Sequence, residues 1–397
     1  VGPHQRRRAL LAIAQGPDAA AGHQVEHAQR SRQAELARQQ HPQITGGPGF
    51  RPKEPLTRTQ RRRSFAIVRG VLRKPAPLVT SLGQPVLTAG PDWGHAAVWR
   101  WRGLDCHWRV LGDPAGPPLL LLHGFAAGSG HWRATAGPLA AAGWCVYGLD
   151  LIGFGASAQP AMRLDNRLWA RQVQGFLEQV VQQPAVLIGH SLGGLVALSC
   201  GVFFPAWVRG VVAAPLPDPT LLMPVPPRRA PWRRWLQRWA VVLLCRLLPL
   251  ELLVPLIART PLLDLGIQSA YNIPVIGDSG LRQLIARPAR RPTAAWSLRG
   301  MSIGMALRPR GATAAVLLQR LRQPLLVLWG EADRLVPIEV AGELRKLRPD
   351  LELEQLEGVG HCPHDEDPAT VDRLLQAWLR RLPIRAEDHG WAPARTP

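Results

Sequence analysis

Short apolar runs of strand length alternate along the chain with longer stretches whose apolar residues recur every three or four positions. The runs at 118–122 and 324–329 are apolar throughout, which is typical of parallel strands buried on both faces, and 208–213 is predicted as a further strand. Between such runs, helices are predicted at 131–142 and at 166–182, and the second places its apolar residues on one face. Segment 98–110 alternates residue by residue and predicts a β-hairpin. The pattern therefore predicts an α/β fold with eight mostly parallel strands and helices on both faces of the sheet.

This alternation is missing from two long segments. Residues 1–92 show no sustained periodicity and are rich in Gln, Arg, Pro, Gly and Ala, so we expect a disordered basic tail. Residues 216–319, after the sixth strand, are apolar, basic and interrupted by prolines, which predicts a helical cap, or lid, inserted into the core. The α/β core is then divided into 93–215 and 320–385, and we expect a flexible C-terminus at 386–397.

The formal net charge of +20 is concentrated in the same two segments. Residues 1–92 carry 15 basic and 5 acidic side chains, residues 216–319 carry 14 and 4, and the remainder is neutral. In the second segment the arginines are interleaved with Trp and Leu rather than with the polar residues of a phosphate-reading groove. The pattern favours a surface that meets an anionic lipid or an amphiphile, and no nucleic-acid partner is expected.

Three tryptophans, Trp232, Trp235 and Trp239, recur at three- and four-residue spacing in the predicted cap and are candidate substrate-contacting residues. Two interpretations remain open. In one, the cap packs its Trp and Leu side chains onto the core; in the other, it forms an interfacial helix that admits a long apolar substrate from a bilayer, and the two are compatible. Arginines, Glu251 and prolines interrupt the apolar sequence, so no membrane-spanning helix is predicted.

The five cysteines are widely spaced and include no C-x-x-C pair. This argues against a disulfide framework and a zinc site, and it is typical of a reducing compartment. The apolar run at 10–14, which follows three arginines, is too short for a signal peptide. We therefore expect a cytoplasmic protein, peripheral at most to an internal membrane, with no metal and no cofactor. The oligomeric state is left open.

The stretch PAVLIGHSLGGLVALSCGVFF at 184–204 carries the clearest chemical signal. An apolar strand at 185–188 leads into the motif G-x-S-x-G, and an apolar helix follows. In this context the serine is held in a strained turn with its hydroxyl clear of both elements. The flanking glycines remove Cβ atoms that would otherwise collide with the neighbouring strand or helix. Ser191 is the candidate nucleophile.

A nucleophilic serine needs a base within hydrogen-bond reach and a carboxylate that orients this base. Two loops that follow predicted strands supply them, with Asp333 after 324–329 and His361 after 351–356. The chain order Ser, Asp, His differs from that of trypsin-like and subtilisin-like proteases. Ser191, Asp333 and His361 are therefore the candidate catalytic residues.

Both partner assignments have alternatives. Glu331 lies two residues from Asp333 and competes for the acid position, and Asp218, after the sixth strand, is a second alternative. Asp333 is favoured on its loop placement alone. His364 competes with His361 for the role of base, but it lies further into the loop and is expected in a second layer or on the surface.

An oxyanion formed at the serine needs two backbone N–H groups. Leu192, at the start of the predicted helix, is expected to supply one, and Phe125, in the loop after 118–122, the other. His190 is adjacent to Ser191 in sequence but points elsewhere, so we interpret it as structural.

Several of these segments resemble the signatures of the α/β-hydrolase fold family. The resemblance covers 93–215 and 320–385, and it implies that Ser191, Asp333 and His361 form a catalytic triad. Haloalkane dehalogenases and epoxide hydrolases use aspartate as nucleophile, so the serine argues against those two activities. The segments that carry the resemblance are His123–Phe125, Asp150–Ser157, Gly189–Gly194, Trp329–Asp333 and Gly360–Glu366.

A narrower resemblance is to the pheophytinase and chlorophyll-dephytylase branch of plastids and cyanobacteria. It is carried by 99–103, 168–169, 176–181 and the His361 loop. It implies a carboxylic ester hydrolase whose substrate is the phytyl ester of a chlorophyll derivative. The alternatives are hydrolysis of another lipophilic ester or of a C–C bond, and a non-catalytic relative that binds pigment or lipid.

Overall fold

The computed structural model describes residues 92–221 and 231–382. The predicted tail, apart from Asp92, and the predicted C-terminus at 386–397 lie outside the described residues. The strands are β1 His95–Trp101, β2 Leu104–Leu111, β3 Pro118–Leu122, β4 Cys145–Leu149, β5 Ala185–His190, β6 Val208–Ala214, β7 Leu325–Gly330 and β8 Glu352–Leu356.

These strands form one sheet in the order β1-β2-β4-β3-β5-β6-β7-β8. β1 pairs with β2 and β2 with β4 in antiparallel register, and every later pair is parallel. The prediction of an eight-stranded, mostly parallel sheet is confirmed.

The centre of the sheet is buried on both faces. All residues of β3, β4, β5 and β7 are buried, because helices cover the sheet above and below. The register pairs Leu119 with Val186 and Leu121 with Ile188, and these four side chains belong to one apolar cluster. Each fully buried side chain of this size contributes about 2 kcal/mol to folding. The carboxyl ends of β5 and β7 are therefore held rigidly.

The helices are α1 Ala136–Ala141, α2 Asn166–Phe176, α3 Leu192–Phe203, α4 Pro231–Leu247, α5 Leu250–Arg259, α6 Leu262–Gln268, α7 Ser279–Ala289, α8 Ala294–Ala306, α9 Ala314–Arg320, α10 Glu339–Leu347, α11 Pro363–Glu366 and α12 Pro368–Leu379. Helices α4–α9 lie between β6 and β7 in sequence and are called the inserted helices below. The last of them, α9, packs against α3 and α10.

Two predicted helices differ from the structure. The helix expected from His131 to Ala142 is a 3-10 turn at Ser129–Trp132 followed by α1. Pro138 would lie in the interior of a helix that began at His131, where its ring excludes a regular helix. In α1 it falls in the first turn, where proline is tolerated. The helix expected at 166–182 ends as an α-helix at Phe176 and continues as one π-helical turn, Leu177–Val181.

Apolar side chains of the inserted helices are unusually exposed. Leu247 and Leu252 are 71% and 68% exposed. Among the described residues, no single helix is both long and apolar enough to cross a membrane. The segments Arg238–Leu247 and Leu250–Arg259 meet that criterion only as a pair, and the chain bends by 54° between them.

Candidate active site

The turn between β5 and α3 places Ser191 in a conformation that few non-glycine residues adopt. Its φ is +50° and its ψ is −115°, and its N–H donates to the carbonyl of Ala214, 3.2 Å away. A Cβ on Gly189 would overlap the backbone of Gly193, and a Cβ on Gly193 would overlap the carbonyls of Leu122 and His123. The two glycines of the motif are therefore required by close backbone approach on both sides of Ser191.

The structure brings Ser191, His361 and Asp333 together. His361 Nε2 lies 3.0 Å from Ser191 Oγ, and His361 Nδ1 lies 2.8 Å from Asp333 Oδ2. All three side chains are buried. Because Nδ1 faces a carboxylate it carries the ring proton, which leaves the Nε2 lone pair facing the serine hydroxyl. The arrangement is that of a nucleophile, a base and an orienting acid.

Asp333 is oriented by its own loop after β7. Its Oδ1 accepts the N–H groups of Leu335 at 2.8 Å and Val336 at 2.9 Å, which leaves Oδ2 for the histidine. The alternative acid, Asp218, makes other contacts. It accepts from Arg308 at 2.7 Å and from the N–H of Ala314 at 2.8 Å.

Backbone hydrogen bonds hold His361 from two sides. Its N–H donates to the carbonyl of Ala270 at 2.9 Å, and its carbonyl accepts from His190 Nε2 at 3.0 Å. Ala270 belongs to the chain that follows α6, and His190 precedes the candidate nucleophile. The inserted segment and the serine turn therefore both contact the histidine backbone.

The segment 270–273, called the strap below, is bound to the His361 loop by further hydrogen bonds. The N–H of Asn272 donates to Glu366 Oε2 at 2.7 Å, and Glu366 Oε1 accepts from the N–H of Cys362 at 3.1 Å. The Tyr271 hydroxyl donates to Asp365 Oδ2 at 3.0 Å. The Arg133 guanidinium lies 2.9 Å from Asp365 Oδ1 and 2.6 Å from Asp278 Oδ2. Asp278 directly precedes α7. The inserted helices are thus attached directly to the loop that carries His361.

Three more histidines pack behind this loop. The His364 ring centroid lies 4.5 Å from that of His131 and 4.6 Å from that of His190. All three are buried, so of the two positions expected for His364, a second layer or the surface, the structure has the first. Burial lowers the pKa of His131 to about 4 and holds the pKa values of His190 and His364 well below the ordinary range, so the cluster is neutral.

The sequence pattern does not reveal this cluster, because its three histidines lie far apart along the chain. Ring nitrogens of His131, His190 and His364 lie within 4.8 Å of one another. His131 Nε2 contacts the Tyr271 hydroxyl at 2.7 Å, and that hydroxyl donates to Asp365, so Nε2 carries the proton. His131 Nδ1 then keeps its lone pair, and it has no hydrogen-bond partner among the described residues.

Phe125 and Leu192 lie on the two loops that meet at Ser191. Leu192 is the first residue of α3, where N–H groups lack helical partners. Within residues 92–221 and 231–382, no hydrogen-bond acceptor is found for the N–H of either residue. The close approach of Gly193 to Leu122 and His123 keeps the two loops adjacent. The placement supports an oxyanion site formed by both N–H groups.

The candidate residues of the cap are placed differently. Trp232, Trp235 and Trp239 lie on α4 and are 61%, 60% and 55% exposed. The ring centroids of Trp235 and Trp239 lie 6.0 Å apart. The triad contacts described above do not include these tryptophans. Packing of the cap onto the core therefore does not describe these three side chains.

Comparison with known proteins identifies similar chains. A model of the Alpha/beta hydrolase family matches residues 119–374. The protein YfhM of Bacillus subtilis, of the AB hydrolase superfamily, is 25% identical and aligns over 70% of this chain and 95% of its own. A pimeloyl-[acyl-carrier protein] methyl ester esterase of Vibrio parahaemolyticus is 28% identical and aligns over 68% of this chain and 98% of its own. The chloroplastic pheophytinase of Arabidopsis thaliana is 26% identical, over 70% and 66%.

Solved structures give the same fold. A bacterial membrane phospholipase A matches with a TM-score of 0.57 and 23% identity, over 81% of this chain and 91% of that one. A thermophilic esterase from Thermogutta terrifontis matches with a TM-score of 0.55 and 22% identity, over 72% and 98%. The resemblance inferred from the sequence motifs is confirmed at the level of the fold and the family.

Replacing Asp333 by Asn should lower kcat about ten-thousandfold, because the imidazole then adopts the wrong tautomer. The matched variant is Asp218→Asn. It should keep kcat within about threefold but lower the free energy of unfolding by about 3 kcal/mol, since it breaks a buried ion pair with Arg308. Ester-hydrolysis kinetics and urea unfolding measure both effects. An equal loss of kcat in the two variants would contradict the choice of Asp333.

Removing the Glu366 carboxylate should release the His361 loop from the strap. We expect Glu366→Ala to lower kcat about ten- to a hundredfold with little change in KM, because displacement of the base affects the chemical step. Glu343→Ala removes a half-buried glutamate from α10 and serves as the control. Steady-state kinetics of both variants decide the point, and an effect confined to KM would argue against the positioning role.

The neutral histidine cluster predicts pH-dependent stability. Below about pH 6.5 these histidines are protonated in the unfolded chain. In the folded protein, buried His131, His190 and His364 stay neutral. The free energy of unfolding therefore falls as pH falls, by up to about 1.4 kcal/mol per pH unit for each histidine. For His131 this loss ends near pH 4. Urea unfolding across this range should show a shallower slope for His364→Phe, and an unchanged slope would show that His364 does not contribute.

Proposed function

Because this chain belongs to the alpha/beta hydrolase family, we propose that it is a serine hydrolase that cleaves a carboxylic ester of a lipophilic substrate through an acyl-enzyme. The observation that carries the proposal is the hydrogen-bonded series Ser191–His361–Asp333, with separations of 3.0 and 2.8 Å. A serine on a left-handed turn, next to a neutral imidazole nitrogen, is arranged to lose its proton to that nitrogen as it attacks.

In the first half of the reaction, Ser191 Oγ attacks the ester carbonyl carbon while His361 Nε2 accepts the hydroxyl proton. The carbonyl oxygen becomes an oxyanion, and the N–H groups of Leu192 and Phe125 stabilise it. One such donor contributes about 3 to 4 kcal/mol in the transition state. Asp333 stabilises the imidazolium through Nδ1. His361 then protonates the departing alkoxide, and the acyl group remains on Ser191.

In the second half, water attacks the acyl-enzyme and the same groups act again. His361 takes a proton from the water, the oxyanion forms at the same two N–H groups, and Ser191 leaves with the proton returned by His361. The products are a carboxylic acid, an alcohol and free enzyme. None of these steps needs a cofactor.

Apolar side chains near the site support a lipophilic substrate. Phe125 is 53% exposed and its ring meets that of Phe154 at 5.8 Å, so aromatic surface lies beside the proposed oxyanion site. A pheophytinase and a methyl ester esterase are among the relatives, and the second name refers to an ester substrate. We propose a phytyl ester of a chlorophyll derivative as the substrate. Another lipophilic ester, or a C–C bond, is the alternative that the same triad could cleave.

The exposed face of the inserted helices supports peripheral contact with a membrane. The apolar residues of α4 and α5 that are more than half exposed include Trp232, Leu243, Leu244, Leu247 and Leu252. Arginines on the same helices carry positive charge that anionic lipid headgroups attract. Such contact would bring a bilayer substrate to the inserted helices without a membrane-spanning segment.

Labelling with a fluorophosphonate tests the proposed chemistry. The wild type should react, and Ser191→Ala and His361→Ala should lose at least about a thousandfold in labelling rate. Ser302→Ala, which removes a hydroxyl bonded within α8, should label like the wild type. Hydrolysis of phytyl esters should then be compared with that of other long-chain esters. If the folded wild type does not label, a non-catalytic protein that binds pigment or lipid becomes the better hypothesis.

Co-sedimentation with lipid vesicles tests the membrane contact. The double variant Leu247→Ser/Leu252→Ser should bind at least about tenfold more weakly, because two large apolar side chains leave the interface. The control Val98→Ser/Leu335→Ser changes two similarly exposed apolar residues on the core and should bind like the wild type. An equal loss in both variants would show that the contact is not specific to α4 and α5.

A further inference from the structure

Two adjoining cavities between α4, α8 and the chain before α2 share Arg163, Val242 and Arg246. Their volumes are about 350 and 910 Å³. The larger cavity is also lined by Arg238, and we call the two together the arginine crevice. It is formed by residues other than the triad.

The crevice holds positive charge that the protein itself does not neutralise. Arg167 and Arg308, which also line it, pair with Asp165 at 2.6 Å and Asp218 at 2.7 Å. For Arg163, Arg238 and Arg246, no carboxylate lies within 4.0 Å in the two stretches of chain that the structure describes. Guanidinium groups held together without counterions repel one another, and a bound anion removes this repulsion.

Apolar side chains line part of the crevice as well. Trp235 and Trp239 line the larger cavity, and Met162, Trp296 and Ile303 line the smaller one. Trp235, Trp239, Val242 and Arg246 recur at four-, three- and four-residue spacing, so one face of α4 supplies both the charge and the aromatic rings. A ligand that matches this lining carries an anionic group and an apolar chain.

We propose that the arginine crevice binds the anionic headgroup of a membrane phospholipid. Guanidinium groups bind phosphate oxygens in pairs, and tryptophan rings favour the boundary between headgroups and acyl chains. A lipid source is favoured over free phosphate because α4 also carries exposed apolar side chains, among them Leu243, Leu244 and Leu247. This inference deepens the proposed membrane contact and does not depend on the chemistry at Ser191.

The test measures binding of the full chain to vesicles of phosphatidylcholine, with and without phosphatidylglycerol. The wild type should bind the phosphatidylglycerol vesicles more tightly. Arg163→Gln/Arg246→Gln should reduce this preference about thirtyfold. The control Arg345→Gln/Arg380→Gln, which removes the same charge from α10 and from the end of α12, should reduce it less than about twofold. Arg163→Lys keeps the charge but loses the planar fork, so an intermediate loss is expected. Thermal unfolding checks that each variant is folded.

Several outcomes would overturn the proposal. Equal binding of the wild type to both vesicle types would leave the apolar membrane contact standing but remove the headgroup site. An equal loss in the control would assign the preference to net charge alone. Full displacement of the vesicles by inorganic phosphate would identify a free-phosphate site. Binding of a single-stranded RNA that is lost in the same double variant would assign the crevice to nucleic acid.

Discussion

The site depends on the close backbone approach at the turn that carries Ser191. Because Gly189 and Gly193 have no Cβ, α3 begins directly against the backbone of Leu122 and His123. This contact keeps the first N–H of α3 beside the loop that carries Phe125 and directs the serine hydroxyl toward His361. The left-handed conformation of Ser191 costs about 1 to 3 kcal/mol, and the burial of α3 and of the strands beneath it offsets this cost.

The second half of the site is held by parts of the chain that are distant in sequence. The carbonyl of His361 is hydrogen-bonded to His190, which is next to the proposed nucleophile, and its N–H is hydrogen-bonded to Ala270 in the strap. The inserted helices are therefore more than a cover, because their position and that of the proposed base are linked by hydrogen bonds. The neutral histidines behind the loop fill space without adding charge beside the imidazole.

Among the inserted helices, α4 carries both positively charged and exposed apolar side chains. α4 carries tryptophans and uncompensated arginines on one face and exposed leucines elsewhere. Arg299 pairs with Glu251 and donates hydrogen bonds to the carbonyls of Cys245 and Leu248, so it holds the bend between α4 and α5. A bent, amphipathic pair of this kind lies along a membrane surface more readily than it crosses one.

The sequence alone determined the order of strands and helices, the serine turn and the loops that carry Asp333 and His361. These follow from local rules, since buried strands must be apolar, tight turns need glycine, and parallel strands end at one edge. It did not determine that the helix containing Pro138 begins only at Ala136, or that His131 and His364 are buried together. Nor did it determine that the strap bonds to His361, or that Asp218 pairs with Arg308 rather than with the histidine. Only the tertiary structure decided these points, because each depends on a contact between residues that are far apart along the chain, and no local pattern specifies which of them will meet.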